Sequence, residues 1–365
     1  MNSRRHFLRQ AAGSALSLSL LPELADAANP AFAPPAQMLR VAMVGLGSYA
    51  ARVADALRDC TMAKLVGGVT GTPAKIDQWA AKYGLDKKNF YNYENFEQIA
   101  KNPDIDAVYI TLPNGLHHEF VLRAAKLGKH VICEKPMSVS VKEAEEMVAV
   151  CKKAGVKLYI GYRLHFEPFT RELVRLRESG ELGQIRHVNA YFGFKIGGPQ
   201  WRLDGKLAGG GALMDVGIYC INAARYATGE EPVWISAEEA KTDLEKFKTV
   251  DETITWQMGF PSGIIASCAT SYNFNFERLY VVGDKGWVEL SPAYSYGPLV
   301  GKTNKGPMTQ PVVTHQTLQM DGMANCLLNK APEPNISGEE GLRDMKIVAA
   351  IYESIKAQGK KIYLK

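Results

Sequence analysis

A glycine pattern near the start of the chain constrains the fold more than any other feature of the sequence. Residues 45–50 read Gly-Leu-Gly-Ser-Tyr-Ala and directly follow an apolar run of strand type at 39–44. The first glycine permits a tight turn, the second lets backbone approach a pyrophosphate, and Ala50 is small enough for a helix to pack on the strand. This order predicts a dinucleotide-binding βαβ unit with phosphates at the helix start. The residues expected at the cofactor are Gly45, Leu46, Gly47, Ser48 and Tyr49.

The rest of the chain shows two patterns of secondary structure. Apolar runs at 65–69, 107–112, 130–133 and 158–161 alternate with helix-like segments at 73–83, 118–127 and 141–154. This alternation predicts βαβ units and a doubly wound parallel sheet. From residue 188 onward, strand-like runs joined by tight turns indicate a mainly antiparallel sheet, which a helix over 338–357 follows. We therefore expect an α/β Rossmann domain over 39–161 and an α+β domain over 162–365.

The N-terminal residues have the three parts of a cleavable export signal. Arg4-Arg5 precedes Phe-Leu, an apolar run covers 11–21, and Ala25-Asp26-Ala27 resembles a cleavage site. These parts are typical of a twin-arginine signal, which the Tat machinery exports after folding. A membrane anchor needs about 20 apolar residues, and Pro22-Glu23 ends this run sooner. We expect a signal peptide over 1–27, a Pro-rich arm over 28–38, and a periplasmic protein without a membrane anchor or any later segment of membrane length.

Composition argues against two further classes. The formal net charge of +5 includes the signal, and no dense lysine or arginine block follows, so nucleic acid is not an expected partner. The six cysteines are scattered without C-x-x-C or metal-type spacing, so no metal site is expected. Because a twin-arginine substrate folds in reducing cytoplasm, most of these cysteines are expected to be buried thiols. One disulfide among them is the alternative.

The turn after the second strand bears on the choice between NAD and NADP. An acid at this place would bind the ribose hydroxyls and repel a 2′-phosphate, but the chain has Thr70-Gly71-Thr72, with Lys75 nearby. Two hydroxyls, a glycine N–H and an ammonium form a phosphate nest, while an ordinary surface turn is the alternative. The missing acid favours NADP.

A second set of residues is predicted to carry the chemistry. Cys133-Glu134-Lys135-Pro136 ends a strand of the parallel sheet, so Lys135 points toward the cleft where a nicotinamide would lie. A glycine-rich run at 208–211 leads into a helix in which Asp215 and Tyr219 stand at i and i+4, on one face. Each alone is typical of a solvated surface or a helix cap, and only their combination points to catalysis.

These motifs resemble the Gfo/Idh/MocA oxidoreductase family over about 40–357. Y-I-T-L-P-N-G-L-H at 109–117, I-G-Y-R at 160–163 and Q-W-R at 200–202 belong to the same ordered set. Tyr219 where many members have histidine, the hydroxyl-rich turn and the export signal match the glucose-fructose oxidoreductase branch. The resemblance implies sugar substrates, tightly bound and non-dissociating NADP, and a large open sheet buried against another subunit of a homodimer or homotetramer.

The resemblance also implies further site residues. Those at the cofactor are Tyr93, Leu112, Pro113, Asn114, Leu116, His117, Glu134, Lys135, Arg163, Trp201 and Arg202, and those at the sugar are Lys135, Arg163, Arg202, Asp215 and Tyr219. Tyr219 would be the general acid/base, with Lys135 favouring its phenolate form and Asp215 fixing the geometry. His117 is a weaker catalytic candidate.

The predicted compartment selects one form of this chemistry. An exported enzyme has no nicotinamide pool, so NADP that travels inside the protein must be reoxidised in place. We expect ping-pong transfer, in which an aldose is oxidised at C1 to its aldonolactone and a second aldose or ketose is reduced to an alditol. The alternative is an NAD(P)-dependent sugar or cyclitol dehydrogenase with exchangeable cofactor. A non-catalytic redox or sugar sensor does not account for the intact set of Lys135, Asp215 and Tyr219, and a periplasmic carbohydrate-binding protein would not need the glycine turn at 45–47.

Overall fold

The computed structural model describes residues 37–364. The predicted signal peptide and residues 28–36 of the predicted arm lie outside this range. In the first half, strands and helices alternate, as the apolar runs predict. In chain order they are β1 (Leu39–Val44), α1 (Ser48–Ala56), β2 (Ala63–Val69), α2 (Pro73–Tyr83), β3 (Phe90–Tyr91), β4 (Ala107–Ile110), α3 (His117–Lys126), β5 (His130–Cys133), α4 (Val141–Ala154) and β6 (Leu158–Ile160).

These strands form one parallel sheet in the order β3-β2-β1-β4-β5-β6, which is the order of a dinucleotide-binding Rossmann fold. The last residues of neighbouring strands are in register. Val44 pairs with Val69 and with Ile110, and Ile110 pairs with Cys133. The glycine turn and the segments that follow β2, β4 and β5 therefore leave the sheet at one edge, where sheets of this kind bind their ligands.

The elements of the second half are α5 (Pro168–Glu178), β7 (Ile185–Gly193), α6 (Gly205–Ala208), a π-helical turn (Leu213–Gly217), α7 (Ile218–Thr228), β8 (Trp234–Ala240), β9 (Thr253–Gly259), β10 (Ile265–Ser271), β11 (Phe276–Gly283), β12 (Trp287–Leu290), β13 (Gly301–Thr303), β14 (Gly306–Pro307), α8 (His315–Asn329), α9 (Gly338–Lys356) and β15 (Ile362–Tyr363).

The strands of this half form a nine-stranded sheet in the order β14-β13-β12-β11-β7-β10-β9-β8-β15. They pair antiparallel except β7 and β10, which run parallel, so the expected mainly antiparallel sheet is confirmed.

Helix α8 was not predicted, and it returns to the first half of the chain. The Thr317 hydroxyl donates to the backbone oxygen of Ala56, at the end of α1, at 3.0 Å. In the middle of α8, a Cβ on Gly322 would lie 2.2 Å from the Phe166 ring, so the backbone packs directly on that ring. Contacts with distant residues therefore stabilise this helix, and a local sequence period does not reveal them.

The run Gly205–Thr228, which joins α6, the π-helical turn and α7, is long and apolar enough to cross a membrane. The expectation that no segment after the signal reaches that length is therefore wrong. Of its most apolar window, 78% is buried inside the protein, as in the core helix of a folded domain. The six cysteines are free thiols, five of them buried and Cys60 half-buried, as expected.

Close packing explains the glycine-rich run before α7. A Cβ on Gly211 would lie 1.9 Å from the carbonyl oxygen of Asp251, and one on Gly210 would lie 2.1 Å from the Tyr352 hydroxyl. The Asp251 carboxylate accepts from the N–H groups of Gly211 and Leu213 at 2.6 and 2.8 Å, and from the Tyr352 hydroxyl at 2.6 Å. Asp251 thus caps the π-helical turn and fixes where α7 begins.

The substitution Gly211→Ala tests this packing. We expect it to lower the free energy of unfolding by about 1–3 kcal/mol, because the new methyl group must displace the Asp251 backbone. Gly198→Ala is the matched control, since a Cβ there would meet no atom of the described residues within 4 Å. Urea unfolding measures both variants, and equal midpoints would contradict the close approach at Gly211.

Candidate active site

The glycine turn has the geometry of a phosphate-binding loop. Gly45 has a φ of +90°, in the left-handed region, and a Cβ there would lie 2.7 Å from Leu112 Cδ2. A Cβ on Gly47 would meet no atom of residues 37–364 within 4 Å, so this side of the turn is open. Helix α1 begins at Ser48, and no described side chain caps it. Open backbone at a helix N-terminus fits an anionic pyrophosphate.

The turn after β2 lies beside the glycine turn. Lys75 Nζ donates to the backbone oxygen of Leu46 at 2.9 Å, so the ammonium bridges the two turns. Thr70 is buried, and its hydroxyl oxygen accepts from the Thr72 N–H at 3.1 Å. Hydroxyls and an ammonium stand where an NAD-binding site has an acid, and this donor set fits the additional 2′-phosphate of NADP.

Three predicted catalytic residues meet in a cleft of about 650 Å³ at the same sheet edge. Lys135 Nζ donates to the backbone oxygen of Asp215 at 2.6 Å and to its Oδ1 at 3.2 Å. The same ammonium nitrogen lies 4.8 Å from the ring centroid of Tyr219. Asp215 lies in the π-helical turn and Tyr219 in α7, so they do not share one regular α-helical face as expected. Lys135 joins them instead.

Opposing charges set the protonation of this cluster. Burial would lower the pKa of Lys135, but the Tyr219 phenol and the Asp215 carboxylate outweigh it and raise the pKa. Burial would raise the pKa of the Asp215 carboxyl, but Lys135 and Arg202 outweigh it and lower the pKa. Asp215 Oδ2 also accepts from Arg202 Nε at 3.1 Å and from the Tyr272 hydroxyl at 3.0 Å. Lys135 is therefore an ammonium and Asp215 a carboxylate at neutral pH.

Arg163 forms part of the cleft beside the ring of Tyr219. Its guanidinium carbon lies 5.1 Å from that ring centroid, and the residue is 2% exposed. Nη1 donates to His315 Nδ1 at 2.6 Å, and the backbone oxygens of Tyr294 and Ser295 accept from Nη2 and Nη1. Nε is buried and bonds to no group of residues 37–364.

Two residues expected at the cofactor hold the wall of the cleft. His117 is fully buried, and its Nδ1 and Nε2 lie 2.9 and 2.8 Å from the backbone oxygens of Pro136 and Leu112. The ring is enclosed between these two backbone carbonyl groups, so the structure places His117 in the wall behind the cleft, and its weaker catalytic role stays a prediction. Asn114 is also buried, and its Nδ2 donates to the backbone oxygen of Ala208 at 2.8 Å.

The other predicted residues lie around these groups. Glu134 is buried next to Lys135, burial raises its pKa, and its Oε1 accepts from the Tyr109 hydroxyl at 2.5 Å. The Arg202 guanidinium carbon lies 4.5 Å from the Trp201 ring. The Lys135–Pro136 peptide bond is cis. The remaining predicted residues follow β2, β3 or β4 at the same sheet edge, and they are Gly71, Tyr93, Pro113 and Leu116.

Sequence reasoning missed several aromatic residues of the cleft. Tyr272 donates to Asp215, Tyr294 lies 6.2 Å from Tyr219 between ring centroids, and Tyr296 lines the cleft. Their positions in the sequence could have indicated them. Tyr272 follows β10 directly, and Tyr294 and Tyr296 follow β12 within a few residues. Aromatic residues at strand ends often line ligand sites.

Comparison with known families gives matches in both halves of the chain. Residues 39–162 match the oxidoreductase family with an NAD-binding Rossmann fold, Gfo/Idh/MocA. Residues 170–289 match the Gfo/Idh/MocA C-terminal domain. The two matches cover the parallel sheet and most of the nine-stranded sheet.

Individual relatives extend the likeness over most of the chain. The D-xylose 1-dehydrogenase [NADP(+)] of Haloarcula marismortui is 32% identical over 337 residues, which cover 88% of this chain and 92% of that protein. The trans-1,2-dihydrobenzene-1,2-diol dehydrogenase of Mus musculus is 28% identical over 286 residues, covering 78% and 83%. A crystal structure of aldose-aldose oxidoreductase from Caulobacter crescentus, complexed with glycerol, has a TM-score of 0.87 and 43% identity, covering 90% of this chain and 100% of that chain.

The bond between Arg163 and His315 predicts a pH dependence of stability. Because His315 Nδ1 accepts this bond, the ring must be neutral, and burial together with Arg163 lowers its pKa to about 4. The unfolded chain takes up the proton near pH 6.5, before the folded protein does. The free energy of unfolding therefore falls as pH falls from about 6.5 to 4. In His315→Asn, whose amide oxygen accepts the same bond, this loss is expected to be smaller by roughly 1–3 kcal/mol.

Urea unfolding of both proteins at a series of pH values measures the difference. His165 has a pKa lowered to about 4 by burial and loses stability in the same direction, but it is present in both proteins and cancels. If the free energy of unfolding of wild type and of His315→Asn changed with pH in the same way, the bond to Arg163 would not require a neutral His315.

Proposed function

The chain belongs to the Gfo/Idh/MocA oxidoreductase family, and we propose that it is a sugar oxidoreductase with tightly bound NADP that transfers hydride from one sugar to another. An aldose is oxidised at C1 to the aldonolactone, and a second aldose or ketose is reduced to an alditol. The observation that carries this proposal is the Lys135–Asp215–Tyr219 cluster, at the same sheet edge as the two turns that fit NADP.

Bound NADP would supply a nicotinamide that accepts a hydride and later returns it. Tyr219 is the residue placed to move the accompanying proton. The Lys135 nitrogen and the Arg163 guanidinium carbon lie 4.8 and 5.1 Å from its ring centroid, so two cations border this side chain in the cleft. In its phenolate form, Tyr219 takes the proton of the C1 hydroxyl while the C1 hydrogen leaves with its electron pair.

Lys135 and Asp215 keep the sugar hydroxyl in place. The ammonium can donate to the hydroxyl oxygen, while its bonds to Asp215 hold its direction. In the second half of the reaction Tyr219 returns the proton to the carbonyl oxygen of the second sugar, as hydride returns to the carbonyl carbon. Protons and electrons balance over the two halves, and the active site ends in its starting state.

Retention of the cofactor is supported by two features of the sequence. The twin-arginine signal, which lies outside the described residues, would send a folded protein to the periplasm, where no nicotinamide pool is available. The turn at Thr70–Thr72 has the donors for a third phosphate group, which adds contacts to the bound nucleotide. The relative from Caulobacter crescentus is an aldose-aldose oxidoreductase, and the proposed two-sugar reaction is of this kind.

A sugar dehydrogenase with exchangeable NADP is the second candidate. The observation that favours it is the likeness to the Haloarcula marismortui D-xylose 1-dehydrogenase, which covers 88% of the chain. Both candidates use the same cluster for hydride and proton transfer. They differ in whether reduced cofactor leaves the protein.

We further propose that the nine-stranded sheet forms the contact between subunits of a homodimer or homotetramer. Val188 and Ala190 of β7 are fully buried on one face. On the other face β7, β11 and β12 carry the half-buried side chains of Tyr191, Tyr280 and Trp287. Aromatic residues on one exposed sheet face are typical of a subunit interface.

A single-turnover experiment separates the two enzyme candidates. The protein is purified from periplasm without added cofactor and mixed with glucose or xylose. We expect the near-ultraviolet absorbance band of reduced nicotinamide to appear without added NADP, and to disappear when fructose or another aldose follows. If no band appears, or if turnover needs added NADP, the cofactor is exchangeable.

The substitution Tyr219→Phe tests the assignment of the proton-transferring group. We expect a loss of about 10²- to 10⁴-fold in turnover with the cofactor still bound, because only the phenol oxygen is removed. Tyr226→Phe is the control, since Tyr226 lies on the same helix two turns away and lines a different cavity. Near-normal turnover of Tyr219→Phe would rule out its acid/base role.

A further inference from the structure

A tyrosine from the second half of the chain reaches across the cleft to the first helix. Tyr296 lies between β12 and β13, lines the cleft and is 44% exposed. Its ring centroid lies 6.3 Å from that of Tyr49, and the guanidinium carbon of Arg52 lies 4.1 Å from the same ring centroid. Tyr49 and Arg52 belong to α1, which begins at the glycine turn. The Arg163 guanidinium carbon lies 4.6 Å from the Tyr296 ring centroid.

The backbone before Tyr296 is held from two sides. Glu277 Oε1 accepts from the N–H of Ser295 at 2.5 Å and from the N–H of Tyr294. Arg163 donates to the backbone oxygens of the same two residues. Because a carboxylate holds the N–H groups and a buried guanidinium holds the carbonyl groups, the next residue is presented to the cleft in a defined place. Tyr296 is therefore a positioned side chain and not a free loop tip.

Arg52 adds a positive charge at the mouth of the cleft. It is exposed and lies in the second turn of α1. The neighbouring carboxylate of the same helix, Asp55, pairs with Lys82 at 2.8 Å, so that group is engaged elsewhere. A guanidinium near the glycine turn favours a polyanionic ligand, and its stacking on an aromatic ring adds a cation–π attraction.

We propose that Arg52 and Tyr296 form a clasp that closes over the bound dinucleotide and slows its release, an inference that rests on the proposed function. A cofactor that extends from the glycine turn at Gly45 to Lys135 would lie beside α1 and Arg163. Tyr296 contacts both of these. Its ring therefore lies over the path by which the dinucleotide leaves, and the contact with Arg52 must break for the path to open.

The release rate of the cofactor tests the clasp directly. Wild type and variants are loaded with NADPH and diluted into excess NADP, and the loss of bound NADPH fluorescence gives the rate constant of release. In Tyr296→Leu, loss of both cation–π contacts is expected to accelerate release by roughly tenfold or more. Tyr296→Phe keeps the ring and is expected to release within about twofold of wild type.

Arg52→Gln is expected to accelerate release as well, and the double variant with Tyr296→Leu should be little faster than Tyr296→Leu alone, because both remove the same contact. Tyr363→Leu is the matched control, since Tyr363 is 70% exposed and lies in β15 at the far edge of the sheet. Its release rate should equal that of wild type. Unfolding midpoints of all variants identify any that fail to fold.

Two results would overturn the clasp. One is release from Tyr296→Leu at the wild-type rate, and the other is a rise in the sugar KM of that variant with unchanged release, which would assign the ring to the sugar. The ratio of rates is measured even if wild type holds NADPH weakly. If wild type releases NADPH fast and Tyr296→Leu releases it tenfold faster still, the clasp is supported and the proposed retained cofactor is contradicted. Failure of the clasp and failure of the retained cofactor therefore give different results.

Discussion

The buried ion pair between Lys135 and Asp215 is the constraint on which the site depends. The two side chains are 12% and 17% exposed, and charges so far from water are costly unless each is paired and fully hydrogen-bonded. Here the ammonium binds two oxygens of Asp215, and the carboxylate binds Arg202 and Tyr272 as well. Lys135 comes from the parallel sheet and Asp215 from the helix that packs on the second sheet. The pair thus locks the two halves together at the cleft.

The geometry of the pair depends on an irregular helix start. Leu213–Gly217 forms a π-helical turn, a feature that is frequent at functional sites. Asp251 caps this turn, and Gly211 must lack a side chain for Asp251 to approach. The glycine-rich run therefore serves the close approach of two protein segments, whereas the glycines expected at the phosphates are those at 45 and 47. The two segments are therefore rich in glycine for different physical reasons.

How far the sequence predicts the structure depends on whether the determining contacts are local. The glycine turn, the strands of the first sheet and the position of Lys135 follow from periodicity and turn chemistry, which a short window of residues contains. Helix α8, the capping role of Asp251 and the cleft tyrosines depend on residues far away in the chain. His117 illustrates the limit: its motif places it at the cleft, but only the structure shows that backbone carbonyl oxygens lie beside both of its ring nitrogens.

Arg163 connects the catalytic cluster to the mouth of the cleft. It lies against the Tyr219 ring, and it also holds the backbone that presents Tyr296. A two-sugar reaction requires that sugars enter and leave while the cofactor stays, so the two paths must differ. The proposed clasp lies on the α1 side of the cleft, whereas the rest of the cleft is lined by second-half residues such as Phe194, Gln200 and Asn275. Under the proposed function, sugars would exchange along the second half while the proposed clasp between α1 and Tyr296 stays closed over the nucleotide.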